Sequence, residues 1–399
     1  MGMFGRWLAE PVRDLSINEY LSRAAVPTWA GVNVNAKTAL SVSAVFACVR
    51  VIAEDIGKLP FIVYQNSPNN ERERATTSPF WRLLHDKPNP YMSSQQFREY
   101  LTASALLRGN GFALKNTVGG QVRELLPLHP DSVTVKQADN WELVYHVTNA
   151  SGGQDTLTRK EIFHLPGLTL DGPIGISVLE YARQTVGNAL GAGRHAGTFF
   201  GKGAKPSAVL KHKGQLSKDA QKRLKDSVME AAGDNNSNSL IVLEDGLEYA
   251  PISITNKDSQ FLESRGFEVT EIARWFRVPP HKVGDLSRAT FSNIEQMALE
   301  YTSDTLMPWA ERWRAAVNQQ VIVTNSIFAE MLFDALLKST TLERYQAYQS
   351  AAGGPAPFMT RNEIRRRENL APLPGLDSIL VPLNMGGDQP GGTEDDTAA

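Results

Sequence analysis

The segment SVSAVFACVRVIAEDIGKLPFIVY, residues 41–64, decides the fold of this chain. Pro60 divides it, because proline cannot continue a helix. Before Pro60, apolar residues recur at steps of three and four, the pattern of a helix packed on a core: Val45, Val49, Ile52, Ile56 and Leu59. After it, Phe61–Tyr64 has the β-branched and aromatic composition of a strand. A packed helix that passes directly into a strand favours a mixed α+β fold.

Helical and strand patterns continue to alternate downstream. Ser93 or Ser94 can cap a second helix, which closes at Gly109-Asn110-Gly111. Between Phe112 and Leu165 the apolar residues recur with a period of two, which predicts an antiparallel sheet region. Further helices are expected at about 176–200, 258–277 and 292–317. A small strand-helix-strand unit is expected at 205–253.

Local signals set the ends of the later helices. Val278-Pro279-Pro280 stops the helix at 258–277, and a capping box from Ser292 to Glu295 opens the next, in which Pro308 predicts a kink. Shorter helices are expected after two further capping boxes, Thr340 to Glu343 and Thr360 to Glu363.

The helix at 176–200 carries four glycines at short intervals: Gly187, Gly191, Gly193 and Gly197. In a helix each glycine costs about 1 kcal/mol relative to alanine. Small residues on a helix face permit close approach of another backbone, so we expect this helix to pack tightly against neighbours.

Composition excludes several classes of protein. Among 399 residues, 41 Lys and Arg stand against 43 Asp and Glu, a net charge of −2 that excludes a globally basic nucleic-acid coat. Cys48 is the single cysteine, so neither an internal disulfide nor a Cys-rich zinc site can form. The seven histidines are far apart, without an HExxH motif, and no metal site is expected.

No membrane segment or signal peptide is predicted. The longest apolar run, about Val42 to Ile56, is broken by Arg50, Glu54 and Asp55 and falls short of the roughly 20 residues of a membrane span. The first residues lack the apolar core and cleavage site of a signal peptide. A soluble protein made in a reducing cytosol is expected.

Motifs for catalysis or cofactor binding are weak. GAGRHA at 191–196 has the letters of a dinucleotide motif but lies inside a helical pattern, and GKG at 201–203 lacks the spacing and the Ser or Thr of a phosphate loop. No GxSxG is present. Between Arg183 and Lys225 there are ten Lys or Arg and one acid, Asp219, a stretch that suits phosphates, an acidic partner or a solvated face.

Ten segments, in order, resemble the portal proteins of tailed bacteriophages, in particular the compact portals of many long-tailed phages. The likeness covers about residues 40–380. The segments are SVSAVFACVRVIAEDIGKLPFIVY, HDKPNPYMSSQQF, LLRGNGFALK, ELLPLHPDSVTV, EIFHLPG, DGPIGISVLEYAR, FFGKGAKPSAVL, FEVTEIARWFRVPPHKVGD, ATFSNIEQMALEYTSDTLMPW and MTRNEIRRRENLAPLPGLD.

The resemblance implies a ring, usually a dodecamer, at one capsid vertex of the virion, assembled in the host bacterial cytoplasm. Double-stranded DNA would enter and leave through it, and its partners would be the terminase large subunit, a head–tail adaptor and the major capsid protein. Neither catalytic residues nor a cofactor is implied. By segment it implies a wing (39–176), stem helix (177–203), clip (204–257), second stem helix (258–280), tunnel loop (281–293), long kinked helix and wing (294–330) and crown (331–385). The two ends match no family segment: the irregular pattern of 1–38 predicts an N-terminal arm, and the Gly/Pro-rich acidic composition of 386–399 predicts a disordered tail.

Two sets of residues follow from that likeness as candidate sites. In the tunnel loop, Lys282 and Arg288 would be the cations nearest to passing phosphates, offset by Asp285. In the clip, the exposed lysines would dock the motor: Lys218, Lys222 and Lys225.

Two other classes of function remain as alternatives. An α+β enzyme acting on nucleic acid or nucleotide is supported only by the basic stretch and the glycine motifs. A capsid or tail scaffold protein without a channel would also be oligomeric, but it would not require a loop between two long helices.

Overall fold

The computed structural model describes residues 28–66, 72–149, 152–170, 172–201, 208–211, 217–220, 222–223, 226, 248–251, 256–286, 291–324, 326–333, 341–355, 357–368 and 370–380. The chain divides into two compact units, Met1–Met331 and Leu332–Ala399.

The first unit contains nine α-helices in its described residues. They are α1 (Ala36–Ala39), α2 (Ser43–Lys58), α3 (Pro79–Trp81), α4 (Ser94–Arg108), α5 (Val178–Tyr181), α6 (Arg183–Gly201), α7 (Asn256–Trp275), α8 (Phe291–Tyr301) and α9 (Met307–Val317). The predicted helix at 176–200 is thus divided at Ala182 into α5 and α6, whereas the one at 258–277 is the single helix α7.

The described strands of this unit form antiparallel sheets. They are β1 (Phe61–Asn66), β2 (Arg72–Arg74), β3 (Asn110–Val118), β4 (Gln121–Leu128), β5 (Val133–Gln137), β6 (Leu143–Thr148), β7 (Gln154–Thr158), β8 (Ile162–Pro166), β9 (Ala208–Lys211), β10 (Glu248–Pro251) and β11 (Ile327–Met331). Their orders are β11-β1-β2, β4-β3-β8, β5-β6-β7 and β10-β9. The antiparallel region predicted between Phe112 and Leu165 is therefore confirmed.

Local signals account for the ends of α2 and α4. Helix α2 ends at Lys58, and Leu59 is extended before Pro60, as predicted. For α4, Ser93 is the N-cap and forms a capping box with Gln96, and Gly109 closes the helix at φ 82 in the left-handed region. Alanine at Gly109 would also collide with the backbone oxygen of Gly175, 2.3 Å from the built Cβ.

The helix predicted at 292–317 is longer and less regular than expected. It begins at Phe291, so Ser292 lies within the helix and the predicted Ser292 N-cap is wrong. Between α8 and α9 the chain forms a π-helical turn, Thr302–Leu306, which ends two residues before Pro308. Because Pro308 has no N–H to donate to the preceding turn, this departure from α geometry agrees with the predicted kink.

Trp313 on α9 joins the helices and sheets of the first unit. It is 2% exposed, and its ring lies 5.8 Å from that of Phe163 on β8 and 6.3 Å from that of Phe61 on β1. Its Nε1 donates to Thr102 Oγ1 on α4 at 3.0 Å. Phe61 is also paired with Met331 in the antiparallel register of β1 and β11. The start and end of the described unit therefore share one core.

The second unit contains two helices in its described residues, α10 (Thr341–Gly353) and α11 (Arg361–Arg367). Thr360 caps α11 and forms the predicted capping box with Glu363. Asn362 is fully buried and binds Leu373 through its side chain, which holds the following segment against α11. Arg344 on α10 forms an ion pair with Glu368 at 2.9 Å.

Within the described part of the chain, no helix has both the length and the apolar character that a membrane crossing requires.

Candidate functional site

The turn after helix α7 leads into the predicted tunnel loop, 281–293. Helix α7 ends at Trp275, and Arg277 has a φ of 57, in the left-handed region. Its neighbour Val278 donates its N–H to the carbonyl of Ala273 at 2.9 Å, and Thr305 Oγ1 donates to the carbonyl of Arg277 at 2.6 Å. The second contact joins the end of α7 to the turn between α8 and α9. The chain therefore leaves α7 in a fixed direction.

Asp285 is held by the helix that precedes it. Pro280–Val283 forms a 3₁₀ turn closed by Gly284, whose φ of 89 favours glycine. The N–H of Asp285 donates to the carbonyl of Pro280 at 3.0 Å, and Thr270 Oγ1 on α7 donates to Asp285 Oδ2 at 3.2 Å. The carboxylate predicted to offset the loop cations thus fastens the start of the loop to α7.

Lys282 is exposed, but its ammonium group has an aromatic partner. Lys282 Nζ lies 5.0 Å from the ring centroid of Tyr301 on α8, within the range of a cation–π interaction. Tyr301 donates its hydroxyl to Asp55 Oδ2 at 3.2 Å, and Lys58 Nζ lies 3.0 Å from Asp55 Oδ1. Burial, together with the Asp55 carboxylate, raises the pKa of Tyr301 well above its usual range. The 3₁₀ turn is therefore connected to the end of α2. Arg288, the third residue predicted for the loop, lies outside the described residues.

The predicted clip is described at its two strands and at part of its helix. Strands β9 and β10 pair antiparallel, Ala208 opposite Pro251 and Lys211 opposite Glu248. Lys218 and Lys222 are exposed, as a docking surface requires, and Lys225 lies outside the described residues.

The glycines of α6 divide into two groups. A Cβ built at Gly187 would lie 2.6 Å from Thr28 Cγ2, and one at Gly191 would lie 3.1 Å from the Cβ of Ala30. The N–H of Trp29 also donates to Gln184 Oε1 at 3.1 Å. The first two glycines therefore allow a turn of this chain's own N-terminal region to pack on α6. Gly193 and Gly197 have no atom within 4 Å of a built Cβ among the described residues and remain open.

An open groove lies beside Gly193, between helices α2, α6 and α7. Its cavity volume is about 730 Å³. Gly193 on α6 and Gly266 on α7 both line it, and a Cβ at Gly266 would also have no described atom within 4 Å. Arg194, Arg265 and Glu268 provide its charged side chains. The apolar part of its lining is Val42, Ala44, Ala189, Leu190, Val269 and Ile272.

A buried polar network around His164 was not identified from the sequence. His164 Nε2 lies 2.8 Å from Asn110 Oδ1, and its Nδ1 lies 3.2 Å from the hydroxyl of Tyr145. Asn110 also donates to and accepts from the backbone of Gly175, and Gln320 binds both backbone groups of His164. Burial is the main reason that the pKa of His164 falls to about 3. The neutral ring joins strands β3, β6 and β8 to the segment that precedes α5.

Lys115 extends this network. Its Nζ donates to the carbonyls of Gln320, at 3.0 Å, and Arg159, at 2.8 Å, and burial lowers its pKa to about 8. The amine is therefore occupied by backbone groups. Among the described residues, no group of three His, Cys, Asp or Glu side chains is arranged to hold a metal ion.

In each of these places the ordered polar groups join elements of the fold to one another. Residues 43–369 match the family model described as phage portal protein. The chain is also 34% identical over 356 residues to the portal protein of Enterobacteria phage HK97, covering 87% of this chain and 83% of that protein. The chain therefore belongs to the phage portal protein family.

Solved structures show the same fold. The chain resembles a protein in the neck of an empty GTA particle computed with C6 symmetry, with a TM-score of 0.62, 24% identity and coverage of 90% of this chain and 94% of the other. It also resembles one in the neck of a native GTA particle computed with C12 symmetry, with a TM-score of 0.57, 22% identity and coverage of 89% and 99%. The mixed α+β class expected from the sequence is confirmed.

Proposed function

We propose that this chain forms the ring-shaped channel at one capsid vertex through which double-stranded DNA is packaged and ejected. The observation that carries the proposal is membership of the phage portal protein family. The connection between α7 and α8 is compatible with it, because its base is fastened to α2 and α7 through Tyr301 and Thr270. A short segment held at its base can project into a channel without detaching from its subunit. A dodecamer is the proposed ring, in keeping with the C12 symmetry of the GTA neck.

In this proposal, the wing is built from two separate parts of the chain, 39–176 and 294–330. The core around Trp313 and the pairing of β1 with β11 support it, because both connect these parts directly. The stem consists of 177–203 and 258–280, the clip of 204–257 and the crown of 331–385. A unit boundary between Met331 and Leu332 is compatible with a separate crown.

The tunnel loop, 281–293, handles DNA weakly. The exposed Lys282 makes a cation–π contact with the Tyr301 ring, and Asp285 accepts a hydrogen bond from Thr270. Both residues therefore hold the base of the loop in place. Arg288 is then the loop cation nearest to passing phosphates. Weak contact suits translocation, because each tightly bound phosphate would have to be released again as the duplex moves.

The clip docks the terminase large subunit during packaging and a head–tail adaptor afterwards, through Lys218, Lys222 and Lys225. The major capsid protein is a further partner, at the capsid vertex. The chain acts in the virion after assembly in the host bacterial cytoplasm. It has a structural role, without a catalytic step, cofactor or metal.

Negative-stain images of the purified full-length protein, viewed end-on, test the central claim. Rings with a central hole are expected, and native mass spectrometry gives the subunit number. A protein that stays monomeric at every concentration and salt, including conditions of capsid assembly, would contradict the channel.

A further inference from the structure

The groove between α2, α6 and α7 can accommodate a protein segment that carries few charged residues. Gly193 and Gly266 leave open space on two neighbouring helices, so a third helix can approach both backbones closely. Arg194 and Arg265 are exposed and have no ion pair within the described residues. Glu268 is half-buried, and burial raises its pKa despite the nearby Arg265. With one carboxylate against two guanidinium groups, the groove favours an apolar strip that carries acidic residues.

Such a strip exists on the α8–α9 helix. Leu299 is 56% exposed and Met307 is 50% exposed. Glu300 and Asp304, between them along the chain, are exposed as well. Their hydrogen bonds come from neutral groups, Gln296 Nε2 to Glu300 at 3.4 Å and Ser303 Oγ to Asp304 at 3.0 Å. We call residues 299–307 the acidic strip.

The groove and the acidic strip lie near opposite ends of α2. Ala44, in the first turn of α2, lines the groove, whereas Asp55, in its last turn, binds Tyr301 within the strip's own helix. Eleven residues of helix separate them, roughly 16 Å at 1.5 Å per residue. Both surfaces therefore belong to the same unit but cannot bind each other within it.

A closed ring of more than two subunits requires two such different surfaces, because each subunit meets its neighbours head to tail. We infer that the acidic strip of one subunit docks in the groove of the next, with Leu299 and Met307 on the apolar floor and Glu300 and Asp304 facing Arg265 and Arg194. This inference rests on the proposed ring and names the surfaces that close it.

Charge reversal tests the pairing. Arg265→Glu or Glu300→Arg alone should weaken association at each interface by at least about tenfold, because like charges then meet. The double variant should restore rings in native mass spectrometry. Arg274→Glu, on the same α7 but outside the groove lining, is the matched control and should assemble like the parent protein. Circular dichroism of each variant reports whether the subunit has folded.

Cross-linking gives an independent test, because Cys48 is buried and burial raises its pKa to about 12, leaving little background reaction. Gly193→Cys and Met307→Cys in one chain, treated with a short bis-maleimide, should give a ladder of covalent oligomers. Either variant alone should give monomers, and a mixture of the two should stop at dimers. If single reversals assemble as the parent does, or the double variant is not restored, or dual-cysteine rings give no ladder, the surfaces are assigned wrongly even though rings exist. If the parent itself forms no rings, the proposed channel fails first, and this interface with it.

Discussion

Lys282 Nζ lies over the ring of Tyr301, 5.0 Å from its centroid, and the hydroxyl of the same tyrosine binds Asp55. One aromatic side chain thus connects the turn after α7 to the end of α2. Tyr301 is almost completely buried, so its hydrogen bond to Asp55 is shielded from solvent. The base of the proposed tunnel loop therefore moves with α2.

The first prediction concerns this connection. Tyr301→Phe keeps the ring but removes the hydroxyl, leaving Asp55 with one hydrogen-bond donor fewer in a buried position, and should lower the free energy of unfolding by about 1–3 kcal/mol. Lys282→Met should cost less, about 0.5–1 kcal/mol, because it removes an exposed cation–π contact. Urea unfolding of the subunits measures both. A larger loss for Lys282→Met than for Tyr301→Phe would show that the connection is assigned wrongly.

The second prediction uses the two groups of glycines on α6. Gly187→Ala should destabilise the subunit by about 1–3 kcal/mol, because the new Cβ would overlap the buried Thr28. Gly197→Ala, outside the groove lining, is the matched control. It enters open space and should stabilise the helix by up to about 1 kcal/mol. Thermal unfolding gives the order of stabilities, and limited proteolysis near Thr28 should be faster only in Gly187→Ala. Equal effects of the two substitutions would contradict the packing of Thr28 on α6.

The third prediction concerns the pH dependence of stability. The pKa of His164 is about 3 in the folded chain and near the usual 6.5 after unfolding, so the unfolded state binds the additional proton between these values. The stabilising contribution is fully present above about pH 6.5 and decreases as the pH falls towards about 3. His164→Gln should be less stable at pH 7 but should lose less stability on acidification. Urea midpoints across that range measure the difference, and parallel curves for parent and variant would contradict it.

The fourth prediction tests the tunnel loop. Replacing Arg288 with Glu, or deleting residues 286–289, should leave ring assembly intact, because the contacts Lys282–Tyr301 and Thr270–Asp285 are made by residues outside the changed segment. The length or retention of packaged DNA should fall, and the defect of Arg288→Glu should vary with salt, as expected for phosphate contact. Lys282→Gln is the control for charge at the base of the loop and should have the smaller effect on DNA. Heads that fill and retain DNA as the parent does would remove DNA handling from this loop.

The fifth prediction tests the clip. Reversing Lys218, Lys222 and Lys225 to Glu together should weaken binding of the terminase large subunit while rings still form, because Lys218 and Lys222 are exposed and neither contacts Trp313. A pull-down of terminase on purified rings measures it. Reversing Lys37, which is exposed on α1, provides a control with the same kind of charge change. Undiminished binding by the triple variant would place the motor elsewhere.

The sequence predicted most local features of the fold. Pro60 ends α2, Ser93 and Gly109 bound α4, and Thr360 caps α11, because each depends on backbone geometry within a few residues. Ser292 was misassigned for a related reason. The sequence pattern Ser-x-x-Glu can fall inside the first turn of a helix as well as at its N-cap, and the pattern alone does not distinguish the two positions.

Family membership was also available from the sequence, because ten segments in a fixed order specify it together although each is weak alone. The sequence did not give the partners of its candidate residues. Lys282 and Asp285 were predicted as a loop cation and its offset, yet Tyr301 and Thr270 hold them at the base. Gly187 was assigned to neighbouring helices, yet its space is filled by Thr28.

Only the tertiary structure decided these contacts, because each joins residues that are distant along the chain. The Tyr301–Asp55 hydrogen bond spans 246 positions, and the one between Trp29 and Gln184 spans 155. Periodicity and capping describe which face of a helix is apolar and where the helix ends. They do not specify which other element packs against that apolar face, because this depends on the packing of the whole core. The sequence therefore determined the elements and the family, and the packing determined which polar groups remain open to a partner.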